Sequence, residues 1–256
     1  MLKTRIIPTL LWKNFGLVKG IGFDSWRRVG PVLPAIKVYN SREVDELILV
    51  DIEASLKSLT PDHESIFDFS EECFVPLTVG GGITNEQEIQ KLLSAGADKI
   101  TLNSSAYLNP ELIENSAKKY GSQCVVISID AKLVDGQYKC LSHSGTQVQD
   151  VEIIEWAQEV ASRGAGEILI TSIDNDGTMN GYDFSLIDKV VKAVDVPVIA
   201  SGGAGSYEDM RIAISEHGVS AVAAASMFHF TEQTPLEAKK YLYQHGISVR
   251  KDFNQK

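Results

Sequence analysis

Short apolar runs alternate along the chain with longer segments whose apolar residues have helical spacing. Apolar runs of this length, bounded by polar or glycine-rich segments, are typical of strands buried in a parallel sheet. The pattern predicts eight strands, at residues 5–10, 46–51, 76–79, 99–102, 125–130, 167–171, 198–200 and 221–224. It predicts helices at 31–40, 65–73, 85–96, 109–121, 150–163, 184–193, 206–216 and 236–245. Eight strand–helix units without a linker predict a single α/β domain over residues 1–256, a (β/α)8 TIM barrel.

An internal repeat supports closure of the barrel. Residues 75–82 read VPLTVGGG, and residues 196–203, which lie 121 positions later, read VPVIASGG. The same offset relates Glu46 to Glu167 at the starts of two predicted strands. A register kept over this distance indicates a duplication, with half-barrels of about 1–122 and 123–256. An open doubly wound sheet is the alternative, but two four-unit halves make a complete barrel.

Two longer connections interrupt the alternation. Residues 13–22 are rich in Gly and Lys and are predicted to be a loop, of a length often found in functional lids. Residues 131–149 form a longer excursion, for which the Asp-Gly pair at 135–136 favours a small hairpin.

Composition narrows the class of protein. The chain is 44% hydrophobic and 23% charged, as in globular proteins. Its formal charge of −10 argues against general nucleic-acid binding. No apolar run approaches the roughly 20 residues that cross a bilayer, the N-terminus lacks a signal-peptide pattern, and the three cysteines have no metal-like spacing. We therefore expect a cytoplasmic protein with no membrane segment, no metal and no cofactor.

The predicted carboxyl ends of the strands carry two matched sets of small residues. In a (β/α)8 barrel these ends form the rim on which binding sites are built. Glycines after a strand allow a backbone to approach a phosphate closely, although they also make tight turns. We call Gly81, Gly82, Asn103 and Ser104 the first cradle, and Gly202, Gly203, Ala224 and Ala225 the second cradle. Together with Asp176 and Gly177 on the same rim, they predict a substrate with phosphate at both ends.

One rim carboxylate is a candidate for acid–base chemistry. Asp130 follows a predicted strand, where it could exchange protons with a substrate or merely support the site by hydrogen bonds. The repeat places residues 6–13 over 125–132, so that Leu11 falls on Asp130. A symmetric catalyst would have a second carboxylate at position 11, and leucine cannot transfer a proton.

The opposite end of the predicted barrel carries four charges. Arg5, Glu46, Lys99 and Glu167 begin or immediately precede four of the strands, and we call them the charge ring. Such charges usually stabilise this face of a barrel. Desolvation offsets much of the attraction of buried ion pairs, so stability alone is a weak explanation for these four charges. We interpret the charge ring instead as a gate over a passage along the barrel axis.

These residues carry a resemblance that spans nearly the whole chain. The segments RIIP (5–8), VKG (18–20), PLTVGGG (76–82), AGADK (95–99), IDAK (129–132), DNDGT (174–178) and VPVIASGGA (196–204) resemble the cyclase subunit of imidazole glycerol phosphate synthase. The resemblance implies that a glutaminase docks on the N-terminal face of the barrel, close to Asp98. It implies that ammonia passes the charge ring and meets a bisphosphorylated aminoimidazole-carboxamide ribonucleotide at the rim, where Asp130 and Lys19 match functional positions.

The chain departs from the family pattern around the first strand. The family has a catalytic aspartate where this chain has Leu11, and the following loop is altered at Trp12, Asn14, Phe15 and Gly16. The sequence here is more similar to a divergent branch that accompanies surface-polysaccharide synthesis. That branch works with a glutaminase and a separate amidotransferase to convert an acetamido group on a sugar into an acetamidino group.

Three hypotheses follow. An ammonia-delivering subunit for sugar amidation explains a charge ring that is kept and a carboxylate that is lost. A working cyclase explains the two cradles, Lys19 and Asp130. A scaffold barrel without an ammonia role is the least consistent with the intact charge ring. We expect the first, with the working cyclase as its alternative.

Overall fold

The computed structural model describes residues 3–14 and 16–250. Its strands are β1 (Arg5–Lys13), β2 (Gly16–Ile21), β3 (Asp24–Gly30), β4 (Leu47–Asp51), β5 (Leu77–Gly80), β6 (Lys99–Leu102), β7 (Val125–Val134), β8 (Gln137–Ser142), β9 (Gln147–Glu152), β10 (Glu167–Ser172), β11 (Val198–Ser201) and β12 (Ala221–Ala224). Its α-helices are α1 (Val32–Ser41), α2 (Ala54–Lys57), α3 (His63–Glu71), α4 (Glu86–Ser94), α5 (Ser104–Leu108), α6 (Glu111–Tyr120), α7 (Ile153–Ser162), α8 (Phe184–Val191), α9 (Tyr207–Ser215), α10 (Ser226–Phe230) and α11 (Pro235–Gln244).

Eight parallel strands close into a barrel. The order is β1-β4-β5-β6-β7-β10-β11-β12, and β12 returns to β1 with Arg5 opposite Ala221. The predicted (β/α)8 barrel is therefore confirmed, and the open sheet is excluded. Each predicted barrel strand is present, with bounds that differ by at most a few residues.

A separate apolar cluster fills the barrel interior. Ile7, Ile48, Val126, Leu169 and Ile199 pack together there with two alanines of β12, apart from the larger core between strands and helices. Burying an aliphatic side chain of this size contributes about 1.5–3 kcal/mol. This inner cluster lies between the charge ring at the strand starts and the polar rim at the strand ends.

Side-chain caps fix where several helices begin. The predicted cap Asn85 accepts hydrogen bonds from the backbone N–H groups of Gln87 and Glu88 at the start of α4. Ser206 and Asp209 form a capping box at α9. Such caps satisfy backbone N–H groups that have no partner within the helix. The polar residues that follow the strands therefore determine the residue at which each of these helices begins.

The prediction of a loop at 13–22 is wrong. After Asn14, the described residues form an antiparallel ribbon in which β2 pairs with both β1 and β3. Leu17 is fully buried, and its apolar contacts hold the ribbon against the core. Buried and exposed residues do not alternate along β2, so the period of two that predicts a strand is missing there. The altered residue Phe15 lies outside the described part of the chain.

The second half contains the matching ribbon. β7 continues beyond the barrel and pairs with β8, and β8 pairs with β9, which confirms the hairpin expected at Asp135 and Gly136. The short helices α2, α5 and α10 were not predicted, because four or five residues carry too little periodicity.

Candidate functional site

One pocket occupies the carboxyl ends of the barrel strands. It is lined by every residue predicted for the rim site: Leu11, Lys19, Gly81, Gly82, Asn103, Ser104, Asp130, Asp176, Gly177, Gly202, Gly203, Ala224 and Ala225. Residues separated by more than 200 positions in the sequence thus surround one cavity, while the charge ring and Asp98 lie at the other end of the barrel. Their roles in binding or catalysis remain predictions.

Asp130 lines the pocket and lies within a hydrogen-bond network. Its Oδ2 accepts a hydrogen bond from Asn103 Nδ2 at 3.1 Å, and its Oδ1 accepts one from the hydroxyl of Ser128 at 3.3 Å. Burial raises the pKa of Asp130 to about 7, the Ser128 hydroxyl lowers it, and the negative charge of Asp176 raises it. A carboxyl group with this pKa can both accept and donate a proton near neutrality.

Strand register shows that position 11 is the structural equivalent of Asp130. Leu11 pairs with Val50 on the next barrel strand, and Asp130 pairs with Thr171, which lies 121 residues after Val50. Each residue is also the point where its strand pairs with the adjoining ribbon. The Leu11 side chain lines the same pocket, so an apolar group stands where symmetry predicts a carboxylate.

The neighbouring Trp12 has a structural role. Its indole Nε1 donates to the carbonyl of Asn14 at 2.8 Å, and its ring meets Phe69 of α3 edge-on at 5.4 Å. Asn14 has φ of +53°, a conformation that asparagine tolerates better than most residues. These altered positions therefore shape the turn into β2, outside the pocket.

Lys19 reaches across the pocket from the first half to the second. Its Nζ lies 2.5 Å from Oδ2 of Asp176, and the residue is 2% exposed. Burial raises the pKa of Asp176, while the charge of Lys19 and its hydrogen bond lower it. The two buried charges compensate each other, as buried charges must.

Glycines at both cradles are required by close packing. A Cβ on Gly81 would lie 2.2 Å from the carbonyl oxygen of Asp51, and a Cβ on Gly203 would lie 2.1 Å from that of Gly181. Both residues have positive φ, at +101° and +111°. The tight turns and the predicted phosphate sites thus use the same glycines, and packing alone accounts for their presence.

The remaining cradle residues are held differently in the two halves. Asn103 donates to the carbonyl of Ser128 as well as to Asp130, and the hydroxyl of Ser104 accepts from the backbone N–H of His143. In the second cradle, Ala224 and Ala225 precede Ser226, whose buried hydroxyl has no hydrogen-bond partner among the described residues. A ligand oxygen at this cradle would satisfy that hydroxyl.

The two ribbons supply pocket residues that sequence reasoning missed. Phe23 and Trp26 come from the β2–β3 ribbon and Ser144 from the turn between β8 and β9. A Cβ on Gly145 would lie 3.0 Å from the Phe23 ring, and the Ser144 hydroxyl donates to the carbonyl of Ile52 at 2.7 Å. The ribbons therefore contact each other beside the pocket. In the sequence, the aromatic residues Phe23 and Trp26 after the first strand were the only indication that this segment contributes to the pocket.

The charge ring is closed at the start of the strands. Arg5 lies 2.8 Å from Glu46 and 2.7 Å from Glu167, and Lys99 lies 3.1 Å from each glutamate. Burial would lower the pKa of Arg5, but Glu167 and Glu46 together raise it. Two cations and two anions alternate around the floor, and each has two partners of opposite charge.

Asp98 lies on the exposed N-terminal face beside this ring. Its Oδ2 accepts from the backbone N–H of Leu77 at 2.8 Å, which ties together the starts of β5 and β6. A partner that docks at Asp98 would therefore lie next to Lys99, the adjacent residue and a member of the charge ring.

The fold and the pocket define the class: a (β/α)8 barrel with a pocket at the rim and a ring of charges at the opposite end. The profile of a family described as "Histidine biosynthesis protein" matches residues 5–234. The chain is 46% identical to the imidazole glycerol phosphate synthase subunit HisF of Chlorobium luteolum, over 98% of this chain and 100% of that protein. It is also 46% identical to the protein of that name from Hyphomonas neptunium, over 98% and 99%. The chain belongs to the histidine biosynthesis protein family, in its HisF-like group.

These comparisons do not support the divergent polysaccharide-associated branch. Among the described residues, no helix is long and apolar enough to cross a membrane.

Proposed function

We propose that the chain is the ammonia-using subunit of an imidazole glycerol phosphate synthase. It takes the bisphosphorylated aminoimidazole-carboxamide ribonucleotide and ammonia, and yields imidazole glycerol phosphate with release of the aminoimidazole-carboxamide ribonucleotide. This is the alternative raised by the sequence, and similarity to HisF proteins over 98% of the chain supports it over sugar amidation.

The observation that carries the proposal is the pair of cradles around Asp130. Both cradles line one pocket, and the same pocket is lined by Asp130, whose pKa is raised by burial to about 7. A substrate with a phosphate at each end would span this pocket and present its middle to Asp130. Backbone N–H groups and hydroxyls at the cradles suit phosphate oxygens.

The nitrogen source is a glutaminase docked on the N-terminal face. Asp98 offers an exposed carboxylate there, and the charge ring stands between that face and the barrel interior. The name of the relatives describes them as subunits, in keeping with a partner. The apolar lining between ring and pocket suits the passage of neutral ammonia. We place the complex in the cytoplasm.

A second candidate is delivery of ammonia for sugar amidation, with a separate amidotransferase as a further partner. Leu11 favours it, because losing one of two acid–base groups typically costs about 10²–10⁴-fold in rate. The charge ring and the inner apolar cluster are intact in the same chain.

Turnover of the ribonucleotide separates the two candidates. The protein is mixed with ammonium salt, or with its glutaminase and glutamine, and formation of imidazole glycerol phosphate is followed. Turnover at a rate typical of the family supports the synthase. Complete absence of product, together with binding of the ribonucleotide, would favour delivery to another acceptor.

A further inference from the structure

One aromatic side chain is unusually exposed on the N-terminal face of the barrel. Phe74 lies in the connection between α3 and β5 and is 79% exposed, more than any other large apolar side chain of the described residues. Strand β5 begins at Leu77, so this connection lies at the end of the barrel that carries the charge ring. Single exposed apolar residues are common on protein surfaces, so the surroundings of Phe74 decide what it does.

The backbone at Phe74 is held in place by Asn40 of α1. Asn40 Nδ2 donates to the carbonyl of Glu72 at 2.6 Å, and Asn40 Oδ1 accepts from the backbone N–H of Phe74 at 3.3 Å. The Cys73 thiol donates to the carbonyl of Val75 at 3.2 Å. These hydrogen bonds fix the connection before any partner arrives, so that less conformational entropy is lost when Phe74 is buried by binding.

Asp98 lies close to the same connection. Its Oδ2 accepts from the backbone N–H of Leu77 at 2.8 Å. Burial raises the pKa of the Cys73 thiol, and the negative charge of Asp98 raises it as well. An exposed carboxylate is therefore near the residue that precedes Phe74.

A second exposed carboxylate lies on the other side of Phe74 in the chain. Glu71 is the last residue of α3, and its side chain is exposed. The ammonium of Lys37 is paired with Glu72 at 3.1 Å, so these two charges compensate each other. Glu71 and Asp98 thus give the surface around Phe74 a negative charge.

We propose that Phe74 is the apolar anchor of the surface that binds the glutaminase, and that Asp98 and Glu71 guide this partner to it. The partner then carries an apolar pocket for the phenyl ring, with basic residues at the edge of that pocket. Aromatic side chains are enriched at the centres of protein interfaces, and opposite charges around them speed association and fix the orientation. The inference rests on the proposed glutaminase partner and names the residue by which it is held.

The charge ring favours the glutaminase over a second copy of this chain. Lys99 directly follows Asp98 and pairs with both glutamates of the ring. A partner seated on Phe74 and Asp98 therefore lies next to the ring, through which the proposed ammonia would enter. A second copy would bring another acidic surface against Asp98 and Glu71, and like charges would oppose that contact.

Binding measurements test the anchor. The dissociation constant for the purified glutaminase subunit is measured by titration calorimetry with the parent protein and two variants. We expect Phe74→Ala to raise the dissociation constant by about 30-fold or more, as the loss of an interface anchor does. Leu108→Ala is the matched control, because Leu108 is 77% exposed but lies at the end of α5, beyond the carboxyl end of β6. It should change the dissociation constant by less than about 2-fold.

Failure of the anchor and failure of the partner give different results. Equal affinities of Phe74→Ala and the parent protein would overturn the anchor and leave the glutaminase as partner. No binding by the parent protein would overturn both. Sedimentation of the chain alone is the further check, since a dimer that Phe74→Ala dissociates would assign this surface to a second copy and contradict the proposal.

Charge reversal tests the acidic surroundings. We expect Glu71→Lys to lower the association rate constant for the glutaminase by about 3–10-fold at low salt, with a smaller effect as salt screens the charges. Glu64→Lys makes the same change of charge in the first turn of the same helix. Its effect should be clearly smaller, because it lies at the opposite end of α3. Equal effects of the two variants would contradict the guiding role of Glu71.

Discussion

Two equivalent positions carry opposite chemistry in this barrel. Leu11 and Asp130 occupy the same register in the two halves, yet one is apolar and the other has a pKa of about 7. The repeat in the sequence was sufficient to align them, because strand register follows the alternation of buried residues. The raised pKa could not be predicted, since it depends on burial and on Asp176, which is distant in the sequence.

Asp130 is expected to destabilise the fold at neutral and alkaline pH. Its pKa in the folded state is about 7, which lies above the ordinary carboxyl value of about 4. Below about pH 4 Asp130 is protonated in both the folded and the unfolded protein, and its raised pKa does not affect the free energy of unfolding. As the pH rises from about 4 to about 7, the free energy of unfolding falls. Asp130→Asn should therefore gain stability over the parent protein across this range, by on the order of 1–3 kcal/mol at pH 8. Urea unfolding at pH 4 and pH 8 measures the difference.

Asp188→Asn is the control for this pH dependence. Hydrogen bonds from Lys192 and His217 lower the pKa of Asp188, so its contribution to stability is lost only near and below about pH 4. Asp188→Asn should therefore show no gain in stability over the parent protein between about pH 4 and pH 8. A constant difference between Asp130→Asn and the parent at both pH values would contradict the raised pKa.

Restoring a carboxylate at position 11 should increase synthase activity. We expect Leu11→Asp to raise kcat with ammonium salt by about 10-fold or more, because an added acid–base group contributes up to about 10²–10⁴-fold when correctly placed. Leu11→Asn is the matched control, since it is polar but transfers no proton. Equal activity in the two variants would show that proton transfer at position 11 is not limiting.

At the scale of elements, the glycine turns after β5 and β11 leave no room for a side chain. A Cβ on Gly203 would lie 2.1 Å from the Gly181 carbonyl oxygen, at a φ of +111°. Gly203→Ala should therefore destabilise the protein by about 3 kcal/mol or more, and thermal unfolding measures the loss.

Gly136→Ala provides the control for this loss. Gly136 has φ of +77°, and a Cβ there would meet nothing within 4 Å. Only the left-handed backbone conformation then opposes the substitution, so we expect a loss of about 1 kcal/mol. Similar losses in Gly203→Ala and Gly136→Ala would mean that backbone strain alone matters.

The barrel strands were predictable and the ribbons were not, for a physical reason. Buried strands such as β12 are apolar at every residue, so a short local pattern is enough to identify them. The β2–β3 ribbon has mostly exposed residues on β3, and Leu17 is held by distant contacts. The ribbon residues that line the pocket, including Trp26, were missed for the same reason.

At the scale of the molecule, the charge ring links the docking face to the barrel interior. We expect Lys99→Met to change glutamine-dependent activity by a larger factor than ammonia-dependent activity. The substitution leaves Arg5 as the only ring cation for Glu46 and Glu167. Lys118→Met removes an exposed lysine on α6 and serves as control. Both activities are assayed in the complex with the glutaminase, and equal effects on them would assign the ring to stability.

The contact between the two ribbons has a kinetic consequence. Phe23 lines the pocket and packs against Gly145 of the other ribbon. If a molecule that reaches both cradles enters between the two ribbons, each turnover includes two openings of this contact, one before binding and one before release. Where such motions are slower than the chemical step, they limit the rate of turnover, and kcat then depends on solvent viscosity.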